Sequence, residues 1–281
     1  MIRAIVKHGD GIGRKSWLRS VVKSIQQGLD HWDVPLEIDG RFGRGTKKAV
    51  KTFQDFYNVQ PTGIADKNTW NLIDPYLPGM PTEVATSLNR FRGDLEWVHQ
   101  QEGHRGRPYW PGGGSGITLD PGVDLGHVNE DLVRTFYQPF LNKKQMVSLE
   151  KVFGIKGSDA RRALSQIQVI RGIRISPEQG MSLMHYMARP YWNGIVNRFP
   201  ALARKDTPPS VQTALLSLAY NRGVFNRHLE SLAGPLGRKQ WDRVAESVGG
   251  MQQSHSLRGI RIRRRQERNI IRAELEFIKH A

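Results

Sequence analysis

Residues Ser115 to His127, with the sequence SGITLDPGVDLGH, decide the fold of the second part of the chain. Short segments alternate apolar and polar residues on either side of Gly122, a pattern that indicates a small β-hairpin. Two carboxylates, Asp120 and Asp124, lie within reach of Thr118. Hydrolysis of a glycosidic bond usually needs one protonated acid and one ionised carboxylate, and this hairpin offers candidates for the ionised group.

The segment before the hairpin brings a further carboxylate to the end of an apolar helix face. Four apolar residues recur at spacings of 3, 4 and 3, and the next position in the series is Glu102: they are Leu88, Phe91, Leu95 and Val98. Gly103 follows and can stop the helix. Partial burial and the negative end of the helix dipole both favour the protonated carboxyl that a general acid needs. The periodicity alone leaves open an outward-facing, solvated Glu102.

These residues resemble the phage-type lysozyme superfamily, including the muramidase domain of pesticin-like bacteriocins. That family places a helix-terminal Glu-Gly before a glycine-rich hairpin of the type SG(V/I)T(I/L)GxGxDLG. Glu102-Gly103 matches the first element, and residues 115–119 and 124–126 match the second. The resemblance covers the chain from Leu88 to Ile278, most specifically at the hairpin.

The resemblance implies catalytic roles for three residues. Glu102 is expected to be the general acid, and Thr118 and Asp124 to position or activate the attacking water. The pair Asp120-Pro121 departs from the family, which usually has a glycine and an aliphatic residue there. Asp120 therefore stays an alternative base to Asp124, or a residue that only solvates the turn.

Two later segments resemble helices of the same lysozymes. Residues 212–223 look like their central buried helix, and residues 259–275 look like their closing RRxxE helix. Tyr220 and Asn221, at the end of the predicted central helix, are candidates for contact with a glycan. Ordinary capping and packing is the alternative for both.

The first part of the chain has the pattern of three short helices. Apolar residues recur at helical spacing from Ser16 to His31, and Asp39-Gly40 marks a turn. Thr46 is the predicted N-cap of a second helix and Asp66 that of a third. These features predict a compact three-helix bundle.

The two glycine turns of this bundle resemble those of three-helix peptidoglycan-binding modules. The matching residues run in order from about Ser16 to Ile73 and include residues 39–43, 62–66 and 69–70. The resemblance implies peptidoglycan as a partner. Asp39, Gly40 and Phe42 are candidate contacts with it, although Phe42 is also a candidate for the core.

A proline-rich stretch separates the two parts. Three prolines and a glycine between Pro75 and Pro81 predict a linker. The predicted organisation is a peptidoglycan-binding domain at 1–74, a linker at 75–86 and a lysozyme-like domain at 87–281. The predicted fold class is mainly α, with a small β-hairpin lobe in the second domain.

The charge of the chain predicts an anionic partner. The 281 residues carry a formal net charge of +16 and no cysteine, which excludes disulfides and a thiol nucleophile. Seven arginines lie in the C-terminal helix: Arg258, Arg261, Arg263, Arg264, Arg265, Arg268 and Arg272. They suggest attraction to anionic wall polymers or outer-membrane lipid, with a solvated face or packing against carboxylates as alternatives.

Together these patterns predict an enzyme that hydrolyses the β-1,4 bond between N-acetylmuramic acid and N-acetylglucosamine. It is expected to act as a monomer, without metal or cofactor, and no signature of nucleic-acid binding occurs. The domain order and the lack of a signal peptide resemble phage endolysins, which wait in the host cytoplasm until a separate pore-forming protein releases them.

Three alternatives stay open. A lytic transglycosylase would share the fold and need only the acid. A zinc amidase or peptidase would use His99, His104 and His127, although no HExxH spacing occurs. A non-catalytic adaptor would only bind the wall.

Overall fold

The computed structural model describes residues 1–279 and is mainly α-helical, which confirms the predicted fold class. The α-helices of the described residues are α1 (Arg19–His31), α2 (Arg44–Phe56), α3 (Lys67–Ile73), α4 (Thr82–Ser87), α5 (Leu95–Glu102), α6 (Glu130–Tyr137), α7 (Lys143–Glu150), α8 (Gly157–Gln166), α9 (Gln168–Arg171), α10 (Pro177–Arg198), α11 (Pro209–Arg222), α12 (Ala233–Gly237), α13 (Trp241–Gly250) and α14 (Arg258–Lys279). Four 3-10 segments cover Gly13–Leu18, Asp74–Tyr76, Pro200–Ala203 and Arg227–Leu232. The one sheet of residues 1–279 pairs β1 (Thr118–Leu119) with β2 (Val123–Asp124).

Packing divides the chain into two compact units. One comprises residues 1–98 together with those from 189 onward, and the other comprises His99–Ala188. Because these units group segments by contact rather than by order along the chain, the domain boundaries 1–74, 75–86 and 87–281 stay a prediction.

The predicted three-helix bundle is present in the first unit as α1, α2 and α3. Phe42, Phe53 and Trp70 are fully buried in its core. An extended N-terminal segment, which the sequence patterns do not indicate, adds to this core. Val6 pairs with Ala65 as an isolated antiparallel bridge, and the Trp70 indole N–H donates to the carbonyl of Ala4 at 2.8 Å.

Two predicted helix starts differ from the structure. The N-cap of α2 is Gly43, and the hydroxyl of Thr46 instead donates to the carbonyl of Arg41 at 3.2 Å. The helix predicted from Leu88 begins only at Leu95, because Arg90 adopts a positive φ of 62°. The apolar residues before that break are nevertheless buried, so the periodicity correctly predicted burial but not helix. The Asp66 cap is confirmed, since its carboxylate accepts from the Thr69 N–H at 3.0 Å.

The C-terminal part of the first unit is built around a buried helix, as predicted. All ten residues from Ser210 to Ala219 of α11 are buried, and Gly223 ends the helix with a φ of 80°. Within α14, Arg263 and Arg264 are buried beside Glu267. Burial raises the pKa of Glu267, while the two arginines act to lower it. The arginine-rich face is therefore smaller than expected, because these two arginines pack against a carboxylate.

The second unit has its own apolar core. The hairpin contributes residues from both strands, and α6 to α9 and the first turns of α10 close over them. The core side chains include Ile117, Leu119, Val123, Leu125, Val133, Tyr137, Leu149, Ile170 and Leu183. This core fixes the hairpin to the helices around it.

Candidate functional site

Glu102 is the last residue of α5 and is half-buried. Gly103 ends the helix with a φ of 74°, a conformation that glycine adopts without steric cost. The predicted helix stop is therefore present. The carboxylate lies at the negative end of the helix, as the sequence analysis expects.

The hairpin places Thr118 and Asp124 directly opposite each other. They are paired residues in the register of β1 and β2. Residues opposite each other in an antiparallel pair extend their side chains on the same face, with Cβ atoms about 4.5–5.5 Å apart. The hydroxyl of Thr118 and the carboxylate of Asp124 therefore share one face of the hairpin.

Two glycines hold the Asp124 carboxylate in place. Its Oδ1 accepts from the Gly116 N–H at 2.8 Å and from the Gly126 N–H at 2.9 Å. A Cβ at Gly116 would lie 2.3 Å from the Gly126 nitrogen, so the two backbones approach too closely for a side chain. The glycine-rich sequence is thus needed to fasten this carboxylate.

Two polar atoms next to this anchor lack hydrogen-bond partners among residues 1–279. Thr118 is 3% exposed, and its hydroxyl makes no hydrogen bond within residues 1–279. Within the same described range, the second Asp124 oxygen, Oδ2, accepts no hydrogen bond either. A buried hydroxyl without a partner costs about 1–3 kcal/mol, whereas an ordered water satisfies several such groups at once. The pair is suited to hold a water molecule.

Asp120 is buried and bound to the backbone. Its carboxylate accepts from the N–H groups of Arg105, at 3.0 and 3.2 Å, and of Gly106. The His104 imidazole lies 3.4 Å from the same carboxylate. Asp120 therefore fastens the loop that follows Glu102, an arrangement that favours a positioning role over that of a base.

Tyr109 is a site residue that sequence reasoning missed. Its backbone pairs with Thr118 through two hydrogen bonds of 2.7 and 3.1 Å, and the Arg105 guanidinium lies 4.0 Å from its ring centroid. Burial raises the pKa of the Tyr109 phenol, and three negative charges raise it further: Asp120, Glu102 and Asp124. Arg105 opposes them. The charges of all three carboxylates thus act on the pKa of one phenol, which no local sequence motif marks.

The histidines of the zinc alternative lie nearby but do not form a ligand set. The rings of His99 and His104 are 6.2 Å apart, and the His127 ring contacts the Gly114 carbonyl at 3.2 Å. Within residues 1–279, no three His, Cys, Asp or Glu side chains are grouped to hold a metal ion.

Tyr220 and Asn221 lie at the end of α11 in the first unit. The Tyr220 ring packs against Tyr191 with centroids 4.7 Å apart. The Asn221 side-chain oxygen accepts from the Arg264 guanidinium at 3.4 Å. Both contacts belong to the packing alternative, and a glycan contact stays a prediction.

The first glycine turn of the bundle is organised by Gln26, which is 1% exposed. Its oxygen accepts from the Gly40 N–H at 2.7 Å. Its amide nitrogen donates to the Asp39 carboxylate at 2.9 Å, the Arg41 carbonyl at 3.2 Å and the Thr46 hydroxyl at 3.1 Å. Gly40 itself has a φ of 70°.

The second glycine turn repeats this arrangement around Gln54. The Gln54 oxygen accepts from the Gly63 N–H at 2.8 Å, and Gly63 has a φ of 71°. Its nitrogen donates to the Thr62 hydroxyl at 3.2 Å, and to the Ile64 carbonyl and the Thr69 hydroxyl at 2.9 Å each. The two turns are therefore structural copies, with Asp39 in the first at the position of Thr62 in the second.

The candidate contacts of the bundle separate into two groups. Phe42 is fully buried, which favours its core alternative, and its contact with peptidoglycan stays a prediction. Asp39 remains partly exposed beside the buried backbone of Gly40. Burial acts to raise the pKa of Asp39, but hydrogen bonds from Gln26 and the Arg41 N–H lower it overall, so the carboxylate is held ionised.

Comparison with known families supports the bundle directly. Residues 19–73 match the model described as a putative peptidoglycan binding domain. This match confirms the resemblance seen in the two glycine turns. No curated protein matches the chain.

Among solved structures, the chain is similar to the crystal structure of the Burkholderia AP3 phage endolysin. The identity is 16%, the alignment covers 99% of each chain, and the TM-score is 0.23. Because the identity and the TM-score are both low, the function of this chain has to be argued from its own side chains. No helix within residues 1–279 has the length and apolar character needed to cross a lipid bilayer.

Proposed function

We propose that this protein is a modular endolysin, a peptidoglycan hydrolase that cleaves the β-1,4 bond between N-acetylmuramic acid and N-acetylglucosamine. One observation carries the proposal. Glu102, a half-buried carboxylate at a helix end, is followed by a loop that Asp120 of the hairpin fastens in place, and the same hairpin sets Thr118 opposite Asp124. Two carboxylates beside a site for water are the groups that glycoside hydrolysis requires.

Each group has a distinct chemical task. Glu102 donates a proton to the glycosidic oxygen as the bond breaks. The Thr118 hydroxyl and the free oxygen of Asp124 hold a water molecule, and Asp124 accepts a proton from it as the water attacks the sugar. Anchoring of Oδ1 by Gly116 and Gly126 keeps Asp124 oriented during this step.

The bundle supplies the attachment to the wall. Its match to a putative peptidoglycan binding domain supports peptidoglycan as the partner. Binding to an insoluble polymer raises the local concentration of substrate at the hydrolase. Storage in the host cytoplasm, release by a separate pore-forming protein and a monomeric state belong to this proposal, as does attraction of the exposed α14 arginines to anionic wall polymers or outer-membrane lipid.

Analysis of the products tests the reaction. Purified sacculi incubated with the protein are expected to release fragments with new N-acetylmuramic acid reducing ends, measured by mass spectrometry after borohydride reduction. Glu102→Gln is expected to lower the rate by about 10²–10⁴-fold, the usual contribution of a general acid. The matched control is Glu130→Gln, which changes a surface carboxylate in the first turn of α6 and should leave the rate unchanged.

Other products would reject the proposal. Anhydro-muramic ends would identify a lytic transglycosylase. Cleaved stem peptides, or full activity of Glu102→Gln, would remove the assignment of Glu102 as the acid of a muramidase.

A further inference from the structure

A groove in the bundle lies beside the first glycine turn. It has a volume of about 480 Å³ and is lined by the loop before α2 and by the first turns of α2. Two carboxylates and two cations border it: Glu37, Asp39, Arg41 and Lys48. The apolar part of its lining includes Val34, Leu36 and Ala49. Opposite charges and apolar surface are therefore combined in one small concave site.

The lining does not suit a sugar ring. None of the thirteen described residues that line the groove is aromatic. Phe42, the aromatic residue of the adjacent turn, is fully buried. A glycan chain without free charges would also make no ionic contact with the four charged groups of the groove. The lining instead complements a ligand that carries both a cation and an anion.

The two glycine turns show that the charge of Asp39 is not needed for the fold. Asp39 accepts from the Gln26 amide and from the N–H of Arg41 at 2.8 Å. In the second turn, the neutral hydroxyl of Thr62 accepts the equivalent bonds from the Gln54 amide and from the N–H of Ile64 at 3.1 Å. A hydroxyl is sufficient for this geometry. The carboxylate at position 39 thus adds a negative charge that the turn does not use, and it borders the groove.

The first turn of α2 adds open backbone to the same groove. Its N-cap, Gly43, provides no side-chain hydrogen bond, and a Cβ at Gly43 or at Gly45 would meet nothing within 4 Å. Both glycines line the groove. A ligand can therefore approach the positive end of this 13-residue helix, next to Arg41 and Lys48.

We infer that this groove binds the stem peptide of peptidoglycan rather than its glycan strand. The inference rests on the proposed function, since it names the part of the wall polymer that the bundle recognises. A stem peptide with a diamino acid carries a free ammonium together with several carboxylates. Asp39 and Glu37 pair with the ammonium, and Arg41, Lys48 and the start of α2 bind a carboxylate. The apolar residues of the groove accept the alanine methyl groups.

Calorimetry with two soluble probes tests the inference on the full-length chain. The first probe is the tetrapeptide N-acetyl-L-Ala–γ-D-Glu–meso-diaminopimelate–D-Ala, and the second is peptide-free glycan with alternating N-acetylglucosamine and N-acetylmuramic acid whose lactyl carboxyls are amidated, so that neither probe carries a charge that is absent from the wall. The Glu102→Gln background prevents cleavage of the glycan. The tetrapeptide is expected to bind, and Asp39→Asn is expected to weaken it by about tenfold or more while keeping both turn hydrogen bonds.

A steric pair of variants locates the site. Gly45 is the second residue of α2 and Gly259 is the second residue of α14; each follows an arginine, and each faces open space. Gly45→Leu should fill the groove and abolish tetrapeptide binding, whereas Gly259→Leu should leave it unchanged. Equal melting temperatures for the two variants would show that the loss is not caused by unfolding.

The outcomes separate this inference from the proposed function. If the tetrapeptide fails to bind or Gly45→Leu has no effect, while the chain still binds and lyses sacculi, the groove assignment is wrong and the endolysin proposal stands. If Asp39→Asn or Gly45→Leu weakens glycan binding instead, the glycan is the ligand and the inference is overturned. If the wild-type chain neither binds nor lyses sacculi, the proposed function itself fails.

Discussion

The bundle and the hairpin hold their glycine turns by different chemistry. In the bundle, the amides of Gln26 and Gln54 accept from a glycine N–H and use their own N–H groups on neighbouring oxygens. In the hairpin, Asp124 accepts from Gly116 and Gly126 through one oxygen. A neutral amide uses both ends of its side chain in the turn. A carboxylate fastens the turn and still keeps a charge and a second oxygen for other work.

This difference shows which side chains only hold the fold and which are also proposed to react. The glutamines are 1% exposed and belong entirely to the scaffold. Asp124 belongs to the scaffold and, in the proposed mechanism, also takes part in the reaction, whereas Asp120 is bound to backbone through both of its oxygens. Replacing a carboxylate by the isosteric amide therefore removes its charge while keeping the hydrogen bonds that hold the fold.

Asp124→Asn should have the largest effect. The asparagine oxygen can still accept from Gly116 and Gly126, so the hairpin is expected to keep its shape. The loss of the charge should lower kcat on sacculi by about 10²–10⁴-fold with little change in Tm. Reducing-end release and differential scanning calorimetry measure the two quantities. A kcat within about tenfold of the wild type would remove Asp124 from the role of base.

Gln54→Ala should mainly affect stability. The change leaves the buried Gly63 N–H without its acceptor and removes one of the two donors to the Ile64 carbonyl, which keeps the Thr69 hydroxyl, so we expect the bundle to lose about 1–3 kcal/mol. Hydrogen exchange of the bundle amides measures this loss locally. Cleavage of soluble glycan should remain at the wild-type level. A stable bundle in Gln54→Ala would mean that water replaces the amide and that the turn does not depend on it.

Thr118→Val should lower activity with little change in stability. Valine has nearly the shape of threonine but removes a buried hydroxyl that has no hydrogen-bond partner within residues 1–279. Because the hydroxyl is expected to bind only water, the free energy of unfolding should change by no more than about 1 kcal/mol, while the rate falls at least about tenfold because the water loses a ligand. Chemical denaturation and the reducing-end assay measure the two effects. An unchanged rate would contradict the water site.

Asp120→Asn should have the smallest effect. Its oxygen can still accept from Arg105 and Gly106, so the loop after Glu102 is expected to stay in place and kcat to change by only a few-fold. The result also distinguishes the two candidate bases. A loss for Asp120→Asn as large as that expected for Asp124→Asn would assign the base role to Asp120.

Local sequence signals predicted the parts of the fold that depend on neighbouring residues. The left-handed stop at Gly103, the hairpin around Gly122 and the cap at Asp66 each follow from a few adjacent side chains. Because these features depend on residues that are close in the chain, a single sequence is enough to predict them.

The missed features depend on residues that are distant in the chain. Gln26 acts on residues 13 to 20 positions away, and it binds the Thr46 side chain that was predicted to cap α2. The N-terminal segment pairs with Ala65, and Tyr109 gains its surroundings only when the hairpin forms. Rules of local periodicity and capping do not predict contacts between residues that are distant in the chain.

The pKa of the Tyr109 phenol reports the charge of the carboxylates in the site. Because burial and the surrounding carboxylates hold the pKa of this phenol above its ordinary value, removing one of those charges must lower it. A tyrosine labelled with ¹³C at Cζ would report that shift by NMR in the absence of turnover. Comparing the wild type with Glu102→Gln in this way would show how strongly the charge at position 102 acts on the site.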